Sequence, residues 1–478
     1  MSAARAALAA SLGLLLAACA ARARPNVLLV VLDTARADRF SFDGYARDTS
    51  PRLDSLAAEG ILYLKAYTPA PWTLPAHASL FTGLYPSAHG ADSGHLRLDD
   101  DQVTLAELFQ AAGYRTVGYT ANPWIGRDHH FDQGFETYDE VWRATGDQAA
   151  DRGAALINSK VANWLEWRAG DPDARSRPFF LFINYLEAHL AYDPPEPERS
   201  RFLPAAANPA ALERLRRFKH PEDVRFNLGL TTLNGRDLAL LSDLYDGEIA
   251  YLDRRVGEVI DLLKRRGLLD RTVIVVTSDH GESIGEHRLV DHKLNVYDNL
   301  LRIPLLLRYP AAVRPGQRVQ DVVMLQDLFP TLLALAGIPL PARPATASVA
   351  EGEPAECALL PGVSAPGGEA TGRGRGQEPI IAEFARPIQF LEVMQEVLKG
   401  ADTRRWDRAL VAYRVGDEKL HWSSDGRPLL FDLARDPGEE HDLAPSRPQR
   451  VAALSARVEA WLRRPAARPP LALSRPAD

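Results

Sequence analysis

The chain has 478 residues, of which 46% are hydrophobic and 25% charged, and its formal net charge is −7. This length and composition are typical of a globular protein with a large core and more than one compact unit. The acidic balance, without basic runs interleaved with aromatic residues, argues against nucleic acid as a partner.

The first 24 residues have the pattern of an export signal. Arg5 precedes an apolar stretch that is too short to span a bilayer. The segment Leu16-Ala17-Ala18-Cys19 resembles a bacterial lipobox, which implies cleavage before Cys19 and lipidation of its sulfur. An ordinary cleaved secretory signal is the alternative. Both predict export, and the lipobox predicts a membrane-anchored lipoprotein that faces the periplasm or the cell exterior. Cys357 is the one other cysteine, so a disulfide framework is not expected.

Residues 25–338 alternate between two kinds of pattern. Short apolar runs without alternation predict strands that are buried on both faces of a parallel sheet, at 26–32, 179–183, 272–276 and 303–307. Helical periodicity predicts helices at 50–59, 102–112, 150–168, 238–265 and 326–336. This alternation predicts an α/β fold, doubly wound, with a mostly parallel central sheet and helices on both faces.

Polar side chains follow three of these predicted strands. Asp33-Thr34 follows the first strand, Asn184, Glu187 and His189 follow the second, and residues 278–282 (Ser-Asp-His-Gly-Glu) follow the third. Ligands of doubly wound sheets bind beyond the carboxyl ends of the strands. We therefore expect an active site where these three segments meet.

The remainder of the chain has a different character. Residues 339–378 are rich in Pro, Gly, Ala and Glu, which predicts a linker or insertion that is poorly ordered. Residues 379–478 predict a smaller C-terminal α+β subdomain with a small antiparallel sheet. Its predicted strands lie at 379–384, 409–415 and 428–433, and its terminal amphipathic helix lies at 447–464.

One hydroxyl group stands out in the segment 71–83. Thr73 lies two residues before Pro75, and an apolar helical stretch follows. Because proline is favoured in the first turn of a helix, Thr73 is predicted at a helix N-terminus, where free N–H groups and the helix dipole stabilise an anion. A capping role for Thr73 is the simpler alternative.

Taken in chain order, these segments resemble the sulfatase-like family of the alkaline phosphatase superfamily, over about residues 26–465 without the linker. Residues 26–38 resemble the family's first strand with its metal-binding Asp, and 73–83 resemble its nucleophile motif. Residues 184–194 resemble its His-bearing loop, and 279–287 its second metal segment. Residues 431–443 match its C-terminal signature.

The resemblance implies a role for each matching residue. Asp33, Thr73, Asp279 and His280 would bind one divalent metal ion, and Thr73 would also be the nucleophile. Carboxylate oxygens with one imidazole suit Ca²⁺, Mg²⁺, Mn²⁺ or Zn²⁺. The other implied catalytic or substrate-binding residues are His189, His77 at the position of the motif's arginine, His292 or Lys293 as a second cation, and Asn122 as a neutral donor.

Threonine at position 73 departs from true sulfatases, whose nucleophile is a formylglycine made from Cys or Ser. Oxidation of a secondary alcohol gives a ketone, so no formylglycine is expected at Thr73. A phosphorylated threonine can still be released when water attacks phosphorus. The sequence therefore favours hydrolysis of a phosphodiester or phosphonate ester over a sulfate ester.

Three other functions are also compatible with the sequence. A transferase would move a phospho-headgroup onto an envelope lipid or glycan, although threonine-dependent relatives of that kind usually carry several membrane spans. A true sulfatase would use an unusual nucleophile. A degenerate member would act as a binding lipoprotein, which the retained Asp33, Thr73, Asp279 and His280 argue against. The substrate is expected to be a small-molecule or envelope-derived ester.

Overall fold

The computed structural model describes residues 24–145, 151–340, 356–364, 372, 374–376, 378–400 and 402–464. The predicted signal with Cys19, most of the predicted linker and residues 465–478 lie outside this part of the chain. Every helix within it is too short or too polar for a membrane span.

The secondary structure alternates as the sequence predicts. The strands are β1 (Asn26–Leu32), β2 (Ile61–Tyr67), β3 (Arg115–Thr120), β4 (Thr137–Glu140), β5 (Phe179–Tyr185), β6 (Thr272–Thr277), β7 (Ser283–Ile284), β8 (Val290–Asp291), β9 (Arg302–Ile303), β10 (Leu305–Arg308), β11 (Gln317–Met324), β12 (Ile380–Phe384), β13 (Leu410–Val415), β14 (Glu418–Ser423) and β15 (Leu429–Asp432). The α-helices are α1 (Pro51–Ala58), α2 (Thr73–Thr82), α3 (Pro86–His89), α4 (Leu105–Ala111), α5 (Trp142–Thr145), α6 (Ala154–Gly170), α7 (Pro172–Ser176), α8 (Glu198–Arg201), α9 (Pro209–Arg216), α10 (Glu222–Asn227), α11 (Gly235–Arg265), α12 (Asp298–Leu301), α13 (Leu328–Leu335), α14 (Ile388–Val397) and α15 (Pro448–Leu462).

Within the described residues, nine strands form one central sheet in the order β11-β2-β10-β6-β1-β5-β3-β4, with β9 beside β2. β1 lies in the middle and is parallel to both β5 and β6. β3 is likewise parallel to β4 and β5. β10 is antiparallel to both of its neighbours. The mostly parallel central sheet is therefore confirmed.

Helices cover both faces of this sheet, as the burial of β1 shows. Leu28, Val30 and Leu32 share a core with apolar residues of α1, α6 and α11. The alternate residues of β1 share the opposite core with residues of α2, α4 and α13. Successive side chains of a strand point to opposite faces, so a strand covered on both sides needs a continuous apolar run.

The prediction of a single parallel strand at 303–307 is wrong. Pro304 separates β9 from β10, because proline has no N–H to donate to the sheet. β10 then pairs antiparallel with β6 and β2. An apolar run indicates that a strand is buried on both faces, but it does not indicate whether the strand is parallel or antiparallel to its neighbours.

The C-terminal subdomain is a four-stranded antiparallel sheet in the order β12-β13-β14-β15. The helix α15 packs on it through Leu454, Val458 and Trp461, which are buried. These side chains belong to the same apolar core as α2 and α13, so the small sheet is docked on the larger one. The predicted antiparallel sheet with a terminal helix is confirmed, and β14 is a strand that the sequence analysis missed.

Part of the predicted linker packs against the catalytic domain. Leu360 is fully buried, and Arg375 forms a buried bidentate ion pair with Asp327, at 2.6 and 2.9 Å. The residues of 339–378 that the structure describes are therefore more ordered than their composition predicts. The domain boundaries themselves stay predictions.

A second buried ionic group joins the two sheets. Lys419 on β14 contacts Asp298 at 2.6 Å and Glu439 at 2.8 Å, and Glu439 also accepts a hydrogen bond from the backbone N–H of Asp298 at 2.6 Å. His421 lies 2.8 Å from the same carboxylate. Although burial opposes ionisation, Lys419 and His421 lower the pKa of Glu439 to about 2.

We expect Arg375→Met to destabilise the protein by about 3–5 kcal/mol, because Asp327 would be left as an unpaired buried charge. Urea unfolding followed by tryptophan fluorescence measures the change. Arg404→Met is the matched control, since Arg404 pairs with Asp402 on the surface and its loss should not shift the transition. Equal, small effects of both substitutions would contradict an integral role for Arg375.

The Glu439 pKa also predicts a pH dependence. Because the folded-state pKa lies below the unfolded value of about 4.5, the stabilisation by Glu439 is present above pH 4.5 and is lost as the pH falls towards 2. Glu439→Gln should therefore cost about 3 kcal/mol at pH 7 and progressively less below pH 4.5. Glu440→Gln, a neighbouring exposed carboxylate, is the control. A penalty that does not change between pH 7 and pH 3 would refute the assignment.

Candidate active site

Side chains from two neighbouring strand ends meet in a closed cluster. Asp33 follows β1, and Asp279 and His280 follow β6. Each residue is fully buried, and each offers one ligand atom within 4.8 Å of the others. The structure thus brings together three of the four predicted metal ligands. Thr73, the fourth, lies beside them, with its Oγ1 atom 3.4 Å from His280 Nε2.

Thr73 is the first residue of α2, and it does not cap that helix. The N-cap position belongs to Trp72, which has an extended backbone and no capping hydrogen bond. The Thr73 hydroxyl is therefore available for other contacts, and it accepts a hydrogen bond from Asn122 Nδ2 at 3.3 Å. Because free N–H groups surround a helix N-terminus, an anion at Thr73 would be stabilised there.

Two asparagines hold Asp33 in position. Asn122 Nδ2 donates to Asp33 Oδ2 at 2.7 Å, and Asn184 Nδ2 donates to the same oxygen at 3.3 Å. Asn122 therefore links Asp33, one of the potential metal ligands, to Thr73. The sequence analysis predicted a substrate-binding role for Asn122, and it gave no role to Asn184.

The cluster brings two buried carboxylates together, beside the imidazoles of His77 and His280. Asp33 Oδ1 and Asp279 Oδ2 are buried and have no hydrogen-bond partner. Burial and the charge of Asp279 raise the pKa of Asp33 to about 7. Buried carboxylates without a partner are costly unless they are protonated or bind a cation. These residues therefore fit a divalent metal ion, as two carboxylates, an imidazole and a hydroxyl.

Thr34 supports this cluster with a strained backbone. Its φ angle is 58°, in the left-handed region that β-branched residues rarely adopt. In this conformation its N–H group donates to Asp279 Oδ1 at 3.2 Å. Strain of this kind persists where the surrounding structure requires a particular orientation.

A second group of polar side chains carries its own cations. His292 Nδ1 lies 2.8 Å from Asp291 and 3.2 Å from Glu282, and Lys293 Nζ lies 2.7 Å from Asp291. Although burial opposes protonation, the two carboxylates raise the pKa of His292 to about 10. A protonated imidazole cannot bind a metal ion. This group is therefore a source of positive charge, although His189, Asp291 and His292 lie close enough together to hold a metal ion.

His189 is neutral beside this positive group. Its ring lies 5.0 Å from the ring of His292, and its Nδ1–H donates to Leu190 O at 2.7 Å. Burial and the charge of His292 lower the pKa of His189 well below its usual value. With Nδ1 as the donor, Nε2 is a proton acceptor.

His77 lies behind the nucleophile. It is fully buried, its Nδ1–H donates to Thr73 O at 2.9 Å, and the same nitrogen lies 3.5 Å from Asp279 Oδ2. Its ring packs edge-on against Phe182. These contacts support the helix start and the metal cluster, and the catalytic role of His77 stays a prediction.

A cavity of about 890 Å³ opens above Thr73. Five predicted site residues line it: Thr73, Asn122, His189, His292 and Lys293. Asp33, Asp279 and His280 lie beneath it. An ester whose reacting atom lies at Thr73 would therefore have its organic part in this cavity.

Several residues of the site were missed by the sequence analysis. Asp291 precedes the predicted pair His292-Lys293, so its charge was a usable signal. Glu282 belongs to the predicted metal segment but received no role. Arg152, which lines the cavity, has no motif around it, and only the fold brings it to the site.

The fold and the site define an α/β ester hydrolase with a group of potential metal ligands and a hydroxyl group at a helix N-terminus. Comparison with known proteins agrees. The family model described as "Sulfatase" matches residues 25–338. The chain belongs to the Sulfatase family, and it is a hydrolase that acts on ester bonds.

Individual relatives are more distant. Arylsulfatase K of Xenopus laevis is 26% identical over 84% of this chain and 75% of its own length. Choline-sulfatase of Rhizobium meliloti is 28% identical over 88% of this chain and 82% of its own length. The crystal structure of the phosphonate monoester hydrolase of Agrobacterium radiobacter superposes with a TM-score of 0.69 at 24% identity, covering 92% of this chain and 95% of that one. This structural likeness shows the fold.

We expect divalent metal ions to raise the thermal unfolding midpoint of the protein, because a cation relieves the repulsion between Asp33 and Asp279. An ion at about 100 times its Kd would add about 2.7 kcal/mol. Asp279→Asn should remove the shift, while Glu187→Gln, which changes a buried carboxyl outside the cluster, should keep it. Differential scanning fluorimetry with and without Ca²⁺, Mg²⁺, Mn²⁺ or Zn²⁺ measures it. An undiminished shift in Asp279→Asn would place the metal elsewhere.

Proposed function

We propose that the protein hydrolyses a phosphodiester or phosphonate ester through a covalent intermediate on Thr73. The main support is the position of the Thr73 hydroxyl, which lies at the start of α2, 3.4 Å from His280 and 3.3 Å from Asn122, on the floor of the cavity. A threonine that only capped the helix would occupy the N-cap position, which here belongs to Trp72. The position of Thr73 suits a group that attacks a substrate from below.

The chemistry of threonine favours phosphorus over sulfur as the centre attacked. Thr73 Oγ1 gives up its proton and bonds to phosphorus as the bond to the leaving oxygen breaks, and the leaving oxygen takes up one proton in exchange. Water then gives up a proton and attacks phosphorus, and the Thr73 oxygen is released and takes up that proton. A formylglycine hydrate releases sulfate by elimination, and a secondary alcohol lacks the second hydroxyl group that this route needs.

The residues around Thr73 divide the remaining tasks. His292 and Lys293 are cations that would bind the non-bridging oxygens, where negative charge is spread in phosphoryl transfer. His189, which is neutral with Nε2 free to accept a proton, would take a proton from the attacking water. Asn122 would hold the Thr73 oxygen in line with the bond from phosphorus to the leaving oxygen. A metal ion held by Asp33, Asp279, His280 and Thr73 would lower the pKa of the hydroxyl and stabilise developing charge.

The charge balance favours a singly charged ester. Asn122 is a neutral donor, and His292 and Lys293 have Asp291 and Glu282 as counter-charges. A dianionic phosphomonoester would meet less compensation than a phosphodiester or phosphonate monoester. We therefore expect diesters to react faster than monoesters.

Sulfate-ester hydrolysis is the second candidate, and family membership is the observation that favours it. Relatives named arylsulfatase and choline-sulfatase match most of this chain. In that case Thr73 would carry the sulfate itself, and water would attack sulfur. Lipidation of Cys19 and export are proposals that accompany either activity.

A panel of aryl esters tests the proposal on metal-supplemented protein. We expect an aryl phosphodiester or phosphonate monoester to be turned over faster than the aryl phosphomonoester or sulfate. Thr73→Ala should lower kcat by at least about 1000-fold, because the covalent route is lost. Thr73→Ser, which keeps a hydroxyl group, is the matched control and should retain most activity. Dominant sulfate turnover, or activity that survives in Thr73→Ala, would overturn the proposal.

A further inference from the structure

Two basic side chains of the active-site cavity form no close ion pair within the described part of the chain. The basic lining residues are Arg152, Arg216, Arg217, Lys219 and Lys293. Arg216 pairs with Asp193, Arg217 with Glu213 and Lys293 with Asp291. Among the residues that the structure describes, Arg152 and Lys219 form no ion pair, although both line the cavity.

Arg152 is held at the wall of the cavity. It lies just before α6 and donates to the backbone oxygen of Ala191, in the loop that also carries His189. Its charge reaches two buried carboxyl groups, Glu187 and Glu248. Burial raises the pKa of Glu187 to about 7 and that of Glu248 well above its usual value, while the charge of Arg152 lowers both. The direct contact of the Arg152 guanidinium is to a backbone oxygen and not to a carboxylate.

Lys219 is an exposed residue that also lines the cavity. It follows α9, whose last residue, Arg216, makes two hydrogen bonds to Asp193 at 2.6 and 2.9 Å. Asp193 belongs to the same loop as His189 and Ala191. Arg152 and the end of α9, which precedes Lys219, are therefore bound to the same loop.

The proposed reaction would place the leaving group in this cavity. Thr73 lines the cavity, and the leaving oxygen would depart in line, on the side opposite the attacking hydroxyl. The group attached to that oxygen would then extend into the cavity. The rings of Trp72 and Trp124, whose centroids lie 5.8 Å apart, line the same cavity.

We propose that Arg152 and Lys219 form a specificity subsite for a second anionic group on the leaving group of the substrate. The substrate would then be an ester with two separate negative charges: the reacting ester and a carboxylate or a tetrahedral oxyanion. Such a group would be attracted by two cations that form no close ion pair in the described residues, while a neutral leaving group would make no such contact with them. This inference rests on the proposed ester hydrolysis and adds the chemical class of the leaving group.

Matched substrates test the subsite. The probes are methylphosphonate monoesters of 3-hydroxybenzoate, 3-hydroxybenzenesulfonate and 3-hydroxybenzamide, of which the last is neutral and close in shape to the first. We expect kcat/KM to be about fivefold higher for an anionic ester than for the amide. A preference for the carboxylate or for the sulfonate identifies which anion the subsite takes.

Substitutions then locate the effect. Arg152→Gln and Lys219→Gln should each reduce the ratio of the anionic to the neutral kcat/KM, and the double variant should bring it close to one. The ratio cancels any loss of folded enzyme, since both substrates meet the same sample. Arg217→Gln is the matched control, because Arg217 lines the cavity but is already paired, and it should keep the ratio. A wild-type ratio near one, or a ratio that survives in the double variant, would overturn the subsite.

A failure of the proposed function would look different. If the wild-type protein hydrolyses none of the three esters, the phosphonate activity is wrong, and the subsite is then tested by calorimetric binding of 3-hydroxybenzoate and 3-hydroxybenzamide. Tighter binding of the carboxylate that is lost in the double variant supports the subsite without any turnover. Equal binding of the two compounds overturns it.

Discussion

The carboxylates of Asp33 and Asp279 lie close together in the protein interior and repel each other. The contacts of the surrounding residues are arranged around this electrostatic repulsion. Each carboxylate keeps one oxygen without a hydrogen-bond partner. Asn122 and Asn184 donate hydrogen bonds to the remaining oxygen of Asp33. Thr34, whose backbone is strained, donates its N–H to Asp279. The protein maintains this costly arrangement because a cation can complete it.

The sheet register is what brings these side chains to one place. Val31 of β1 pairs with Thr277 of β6 and with Asn184 of β5, so the next residues along β1 and β6 leave the sheet at the same edge. Thr120, at the end of β3, pairs with Asn184 as well, which carries Asn122 to the same edge. Four parallel strands therefore deliver four polar residues to one point, and the N-terminus of α2 supplies Thr73 above them.

Charge divides the site into two unlike parts. In the Asp33 cluster two carboxylate oxygens have no hydrogen-bond partner, whereas Asp291 and Glu282 are matched by His292 and Lys293. The first part therefore suits a metal ion, and the second would present its cations to the substrate in the proposed function. The rings of His280 and His292 lie only 4.4 Å apart, so the two parts meet directly beneath the cavity. A negatively charged ester would bridge them.

The sequence by itself determined the α/β class, the central strands β1, β5 and β6, and the residues at their ends, because apolar runs buried on both faces are readable without knowledge of partners. It did not reveal β3, whose run contains Arg115 and Gly118; a Cβ atom at Gly118 would lie 2.5 Å from the ring of Tyr138. It also gave no sign of Arg152. Strand direction, the pairing of charges and the walls of the cavity depend on contacts between residues far apart in the chain. Only the tertiary structure decided them, because local periodicity records burial and not the identity of the neighbour.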